Sequence, residues 1–229
     1  MTSFDDGQLA EALRAVLRFR GESQTFRHRI AAVEMGVVGE GADGAIDRAS
    51  LEGLTGAVLK GSLLVKAVSA QIDVVVHAAG IIASLPYILG PDERIEYVSL
   101  GAGNTGKAHD LETDLRVAEF KFIKWQGGAE SVRQDSLLVD LFHLATSQTS
   151  KQRFLYVTGK SIPMAFLEGS KRNVRAALAR RPGVPGQFDQ IYGDWDPTVK
   201  DYWASIREQV EICDLAGLVP ELSSEEWGA

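Results

Sequence analysis

The chain has 229 residues, 45% hydrophobic and 24% charged, an ordinary globular mixture long enough to bury a core without disulfide or metal staples. A net charge of −7 and a pI near 5.2 exclude a protein that coats nucleic acid through a general basic surface, though not one that engages it through a local patch. The single cysteine, Cys213, cannot form an intramolecular disulfide and suits a reducing, cytoplasmic setting.

The first residues, MTSFDDGQLAEAL, carry acids where a signal peptide would carry bases. Leu9, Leu13, Val16 and Leu17 recur at helical spacing behind the capping candidates Asp5 and Asp6. A second helix is expected from near Ser23, fading into a loop, GEGADGA, at 39–45. Ser50 then precedes a long apolar region, read as two helices ending near Pro86. Its most apolar part, Val74 to Leu89, spans 16 residues and contains His77, Gly80 and Pro86. That is short of the roughly 20 residues a bilayer crossing needs, so a buried core helix is expected and no membrane partner.

The middle of the chain changes character. Residues 94–100, 107–113 and 115–123 are three short runs rich in strand formers, separated by turn residues. An amphipathic helix follows from Ala129 to Thr146, with Leu138, Leu141, Phe142 and Ala145 on one face. QRFLYV at 152–157 reads as a buried strand. Ser170 opens a basic helix with Lys171, Arg172, Arg175, Arg180 and Arg181, closed by RPGVPG. Asp196 and Pro197 are a cap and first-turn pair for a last helix running towards Gly217. Cys213 falls within that helical pattern and is expected to be a buried thiol rather than a nucleophile. The tail, ELSSEEWGA, is acidic.

The chemistry is concentrated in LRVAEFKFI. Strand alternation puts Leu115, Val117, Glu119, Lys121 and Ile123 on one face, so an acid and a base lie two residues apart among apolar neighbours. Such placement is costly unless the charges are paired or bind a metal. Thr113 and Asp114 suit a tight turn. An even-membered loop then brings Asp110 opposite or diagonal to Glu119, near enough for the two carboxylates to share one cation. Mg²⁺ or Mn²⁺ fits such an oxygen site. A metal there would acidify a bound water and stabilise charge on a phosphate, and Lys121 would serve as base or charge stabiliser. Both acids must be ionised, so activity should fall at low pH. Glu112 shares a face with Asp110 and is the rival first acid. His109 should point to the other face, and His77 and His143 should be structural.

HDLETDLRVAEFKF resembles the core of the PD-(D/E)xK nuclease superfamily, with its restriction-endonuclease-like fold. The resemblance implies an α/β fold with an αβββαβ core and a small mixed sheet over about 71–158. Helical elaborations would occupy 1–70 and 159–229 of a single domain. It implies Asp110 and Glu119 as metal ligands, Lys121 as the catalytic lysine and DNA as the substrate. Cutting two strands needs two sites, which a homodimer would supply. His109 stands where the family name has proline. Gln134 matches an accessory glutamine of some branches, although the tyrosine four residues later is replaced by Leu138. No glutamate occurs between 71 and 89 to complete the acids, and Glu96 is a weak substitute. The basic helix would contact phosphates. A competing motif shares these residues: Gly101, Gly103, Gly106 and Lys107 form a near P-loop one residue short, with Ala108 where Ser or Thr should hold Mg²⁺. The alternatives are therefore a P-loop-like nucleotide binder and a non-catalytic member of the same fold.

Overall fold

The structure is a computed structural model that describes residues 6–21, 26–69, 72–101, 109–123, 125 and 130–223. Its internal contacts define two compact units, Met1–Asp73 and Val74–Ala229.

The first unit is helical: α1 (Asp6–Arg20), α2 (Phe26–Val37), α3 (Ala42–Leu51) and α4 (Gly56–Ser69). Asp6 and the pair Arg18 and Arg20 complement the helix dipole at the two ends of α1. Helix α1 packs on α4 at Gly61, where an added Cβ would stand 2.8 Å from the Ala12 carbonyl oxygen. Glycine is therefore what permits the close approach. Phe19, Val33 and Val58 form a small buried cluster. Much of the segment read as a loop at 39–45 is the start of α3. Gly41 caps it, Asp43 sits in its first turn, and Ala45 N–H donates to the Gly41 carbonyl at 2.8 Å.

The second unit is α/β, built on a small, open, mixed sheet in the order β1-β2-β3-β4-β5. After α5 (Ile72–Ile88) come β1 (Ile95–Val98), β2 (Leu111–Thr113) and β3 (Arg116–Lys121), an antiparallel meander with a bulge between Ile95 and Tyr97. Helix α6 (Glu130–Thr146) then crosses to β4 (Gln152–Val157), parallel to β3 from Arg116↔Gln152 to Lys121↔Val157. Helices α7 (Ser161–Gly169), α8 (Val174–Leu178), α9 (Val184–Tyr192) and α10 (Val199–Ile206) lead to β5 (Glu211–Asp214), parallel to β4.

Both sheet faces are covered, as the parallel strands require. Val117, Leu155, Val157 and Ile212 meet Leu137, Leu138, Leu141 and Phe142 of α6 on one face. Ala118, Phe120, Phe154 and Tyr156 meet Ile81 and Ile88 of α5 on the other, with Phe122 just past the strand. Helix α5 is not the fully buried helix expected from its composition. Gly80, Ile81, Ser84 and Ile88 are buried, while Ile72, Val75 and Ile82 are exposed. By length and composition alone, the run Gly56–Ile88 contains an 18-residue window apolar enough to cross a membrane, with mean hydropathy 1.6.

The C-terminal third departs most from expectation. Residues 170–173 are not helical; Asn173 bridges to Thr198, and only Val174–Leu178 form the expected basic helix. Thr198, not Asp196, caps α10, its Oγ1 accepting from Asp201 N–H at 3.2 Å. Asp196 instead accepts from Asn173 Nδ2 at 2.6 Å. The helix stops at Ile206, and Cys213 lies in β5. Burial pushes its thiol up to about 11, and the side chain is half-buried on a strand rather than buried in a helix.

One buried network fixes the β2–β3 turn. Arg116 donates through Nε to Glu93 Oε1 at 2.5 Å and through Nη2 to Glu93 Oε2 at 2.6 Å, and its Nη1 donates to Tyr156 OH at 2.8 Å. Thr113 Oγ1 donates to Glu93 at 2.6 Å and accepts from the N–H groups of Leu115 and Arg116. Burial works against ionisation of Glu93, but the bonds from Arg116, Thr113 and Gly90 outweigh it and hold its carboxyl below the usual range.

Two outcomes test this packing. Gly80→Ala places a Cβ 2.7 Å from the Phe122 ring, and denaturant titration should show a loss of about 1–3 kcal/mol. An unchanged midpoint would contradict the close contact. Because the Glu93 pKa is lower folded than unfolded, its stabilisation is present above the ordinary value of 4.5 and lost as pH falls through the folded value. Glu93→Gln should cost about 3–5 kcal/mol near neutrality, since it leaves Arg116 buried and uncompensated. It should also flatten stability against pH below about 4.5, read by acid titration of the thermal midpoint.

Candidate functional site

The β2–β3 register brings Leu111 opposite Ala118 and Glu112 opposite Val117. Asp110, one residue further out, therefore lies across from Glu119 on the neighbouring strand. The two-residue turn at 114–115 is even-membered, as the reading of Thr113 and Asp114 required. Asp110 Oδ2 accepts from Phe120 N–H at 3.1 Å, and the two carboxyl groups interact electrostatically.

These acids do not titrate alike. Burial opposes ionisation of Asp110, but bonds from His77 and Phe120 N–H prevail and hold it below the usual range. Glu119 is pushed well above that range by burial and by the nearby carboxylates of Asp140 and Asp110.

Lys121 emerges from β3 on the same face as Glu119. Its ammonium is ion-paired with Asp140 and donates to Ser136 Oγ at 3.1 Å. Burial lowers the lysine pKa, but the Asp140 carboxylate outweighs it, and the group is held above its usual value. Asp140 is itself raised by burial, with Lys121 working against that. Ser136 and Asp140 sit one turn apart on α6, so both look at the strand.

Two histidines close the cluster, contrary to the expectation that they would serve packing alone. His77 Nε2, from α5, lies 3.4 Å from Asp110 Oδ1. His109 Nδ1 lies 3.5 Å from Glu119 Oε1, and its Nε2 is 3.1 Å from Ser147 Oγ. His109 precedes β2, so the alternation that would have turned it to the opposite face does not apply there. Burial holds its pKa low. His143, also lowered by burial, acts electrostatically on both His109 and Asp140.

Other candidates go elsewhere. Gln134 accepts from Arg172 Nη1 at 3.1 Å, and it stands about 160° around α6 from Ser136, at two residues of helical rotation. Glu112 and Glu96 both accept from Lys151 Nζ, at 2.8 and 2.6 Å. Asp114 ties the turn to Arg94 N–H at 2.9 Å. Arg172 and Arg180 both hold the buried Asp135, and Arg175 is paired with Asp189 and Asp196. Those three arginines of the expected phosphate-binding stretch are thus engaged by carboxylates. Of the near P-loop, Gly103, Gly106, Lys107 and Ala108 lie outside the described residues. Residues 111–113, where that reading needs a helix, are a strand.

Asp110 and Glu119 offer a cation carboxylate oxygens from adjacent strands. Among the described residues, no group of three or more His, Cys, Asp or Glu could hold a metal ion unaided. A pair of carboxylates nevertheless suits Mg²⁺, which keeps several of its waters. The sequence marked Asp110, Glu119 and Lys121 through their strand context. Ser136 and Asp140 carried only the faint signal of two polar residues at i and i+4 on an otherwise buried helix face. Compared with protein-family models, curated proteins and solved structures, the chain matches none.

Proposed function

We propose that this chain is a divalent-metal-dependent nuclease of the PD-(D/E)xK type, with a restriction-endonuclease-like core, acting on DNA in the cytoplasm. The observation that carries this reading is a charge imbalance. Among the described residues, Asp110, Glu119 and Asp140 surround one lysine in a largely buried place. If all three acids ionise, two negative charges remain, which is what one divalent cation neutralises. The order α5, β1, β2, β3, α6, β4 supports the fold assignment, being the helix, three strands, helix, strand of that family.

In this reading Asp110 and Glu119 would hold Mg²⁺ or Mn²⁺, which when bound acidifies a water and offsets charge on the phosphate. The chain's own groups do the rest. Phe120 N–H and His77 orient the Asp110 carboxylate, while His109 stands 3.5 Å from Glu119 without a hydrogen bond to it. Lys121, kept cationic by Asp140, acts as charge stabiliser rather than base.

The test is cleavage of supercoiled, linear and single-stranded DNA, and of RNA, with Mg²⁺ or Mn²⁺. Wild type should cut DNA, Glu119→Ala should fall to background, and Lys121→Ala should lose about 10²–10³-fold. Cleavage should also fall as pH drops, because a proton competes with the metal for its ligands. A wild type that cuts nothing, or folded variants that cut equally well, would sink the assignment. Nucleotide-dependent stabilisation that requires Lys107 would favour the P-loop reading instead.

A further inference from the structure

The proposed chemistry uses Asp140 only to keep Lys121 charged, yet its side chain is 14% exposed and touches the lysine of the site. Lysine carries its charge on a flexible four-carbon stem. Lys121 stands two residues from Glu119 on the same strand face, and its charge acts on both Glu119 and Asp110. An untethered ammonium there would pair with those carboxylates and compete with any cation for their oxygens. Instead Lys121 is drawn to α6, paired with Asp140 and bonded to Ser136 Oγ at 3.1 Å. The i and i+4 spacing of Ser136 and Asp140 presents both acceptors to one ammonium. Seven residues of α6 are buried, so the helix that carries these acceptors is fixed on the sheet.

We infer that Asp140, assisted by Ser136, is a positioning residue that holds the Lys121 ammonium against α6 and so keeps Asp110 and Glu119 open to a divalent cation. The inference rests on the metal-dependent reading of the site. It predicts that the effect of Asp140 on metal binding exists only while a lysine is present to be held. A purely structural aspartate, or one acting only as a distant negative charge, would matter equally with or without Lys121.

The experiment is calorimetric titration of Mn²⁺ into the full chain and into Asp140→Asn, Lys121→Met and the double variant. Asp140→Asn should weaken Mn²⁺ binding about 10-fold or more in the Lys121 background. In the Lys121→Met background the same substitution should cost nothing measurable. An equal loss in both backgrounds, or a loss in neither, overturns the inference while leaving the metal site standing. A wild type that binds no Mn²⁺ overturns the metal reading itself and the inference with it. Should circular dichroism show that Asp140→Asn does not fold, Ser136→Ala carries the test. It should weaken Mn²⁺ binding about 2–3-fold, again only beside Lys121, and unchanged affinity would overturn the proposal.

Discussion

The arrangement of the second unit depends on the register between β2 and β3, and that register is held by the bidentate contact of Arg116 with Glu93. Thr113 joins the same carboxylate and caps the turn, so one buried acid fixes where the hairpin reverses. A slip of one residue would send Asp110 to the α5 face and leave Glu119 opposite an apolar side chain. The clamp lies on the α5 side of the sheet, with Arg116 over the Phe154 ring at 4.8 Å. Glu119 and Lys121 lie on the other side, beneath α6, while Asp110 at the sheet's edge is reached by His77 of α5. The acids are set by a contact they never touch.

On that side, the fold accepts a local conflict. Glu119 and Lys121 interrupt a strand face otherwise given to Val117 and the α6 core, and burial drives the carboxyl of Glu119 far from its usual behaviour. Neutral residues would pack there at lower cost. Several ionisable groups retained in such a place support the proposed functional site over a purely packing role. Each acid across the hairpin has its own histidine, and the lysine has its own aspartate.

Much of this was legible in the sequence because it rests on short-range patterns. Alternation in 115–123 gave the face shared by Glu119 and Lys121, and Thr113 with Asp114 gave the turn that faces Asp110 to Glu119. The strand at 152–157 was plain from its composition. What failed to show depends on contacts distant in sequence. The strand at Glu211–Asp214 is four residues long and is defined by pairing with β4, so helical spacing around it misled. The arginines at 172 and 180 were read as part of a basic helix contacting phosphates, yet they converge on the buried Asp135. The roles of His77, His109 and Asp140 follow from which helix or loop lies over which strand, and no spacing rule reports that. Gln134 was singled out through resemblance, while helix rotation selects Ser136 and Asp140.

The central claim is that Asp110 and Glu119 together bind a divalent cation. Anomalous diffraction from crystals grown with Mn²⁺ tests it most directly, since it locates the ion without relying on turnover. The expected result is an anomalous peak bound by both carboxylates, with Lys121 still on Asp140. Ordered crystals in millimolar Mn²⁺ with no peak between the two carboxyl groups would overturn that assignment.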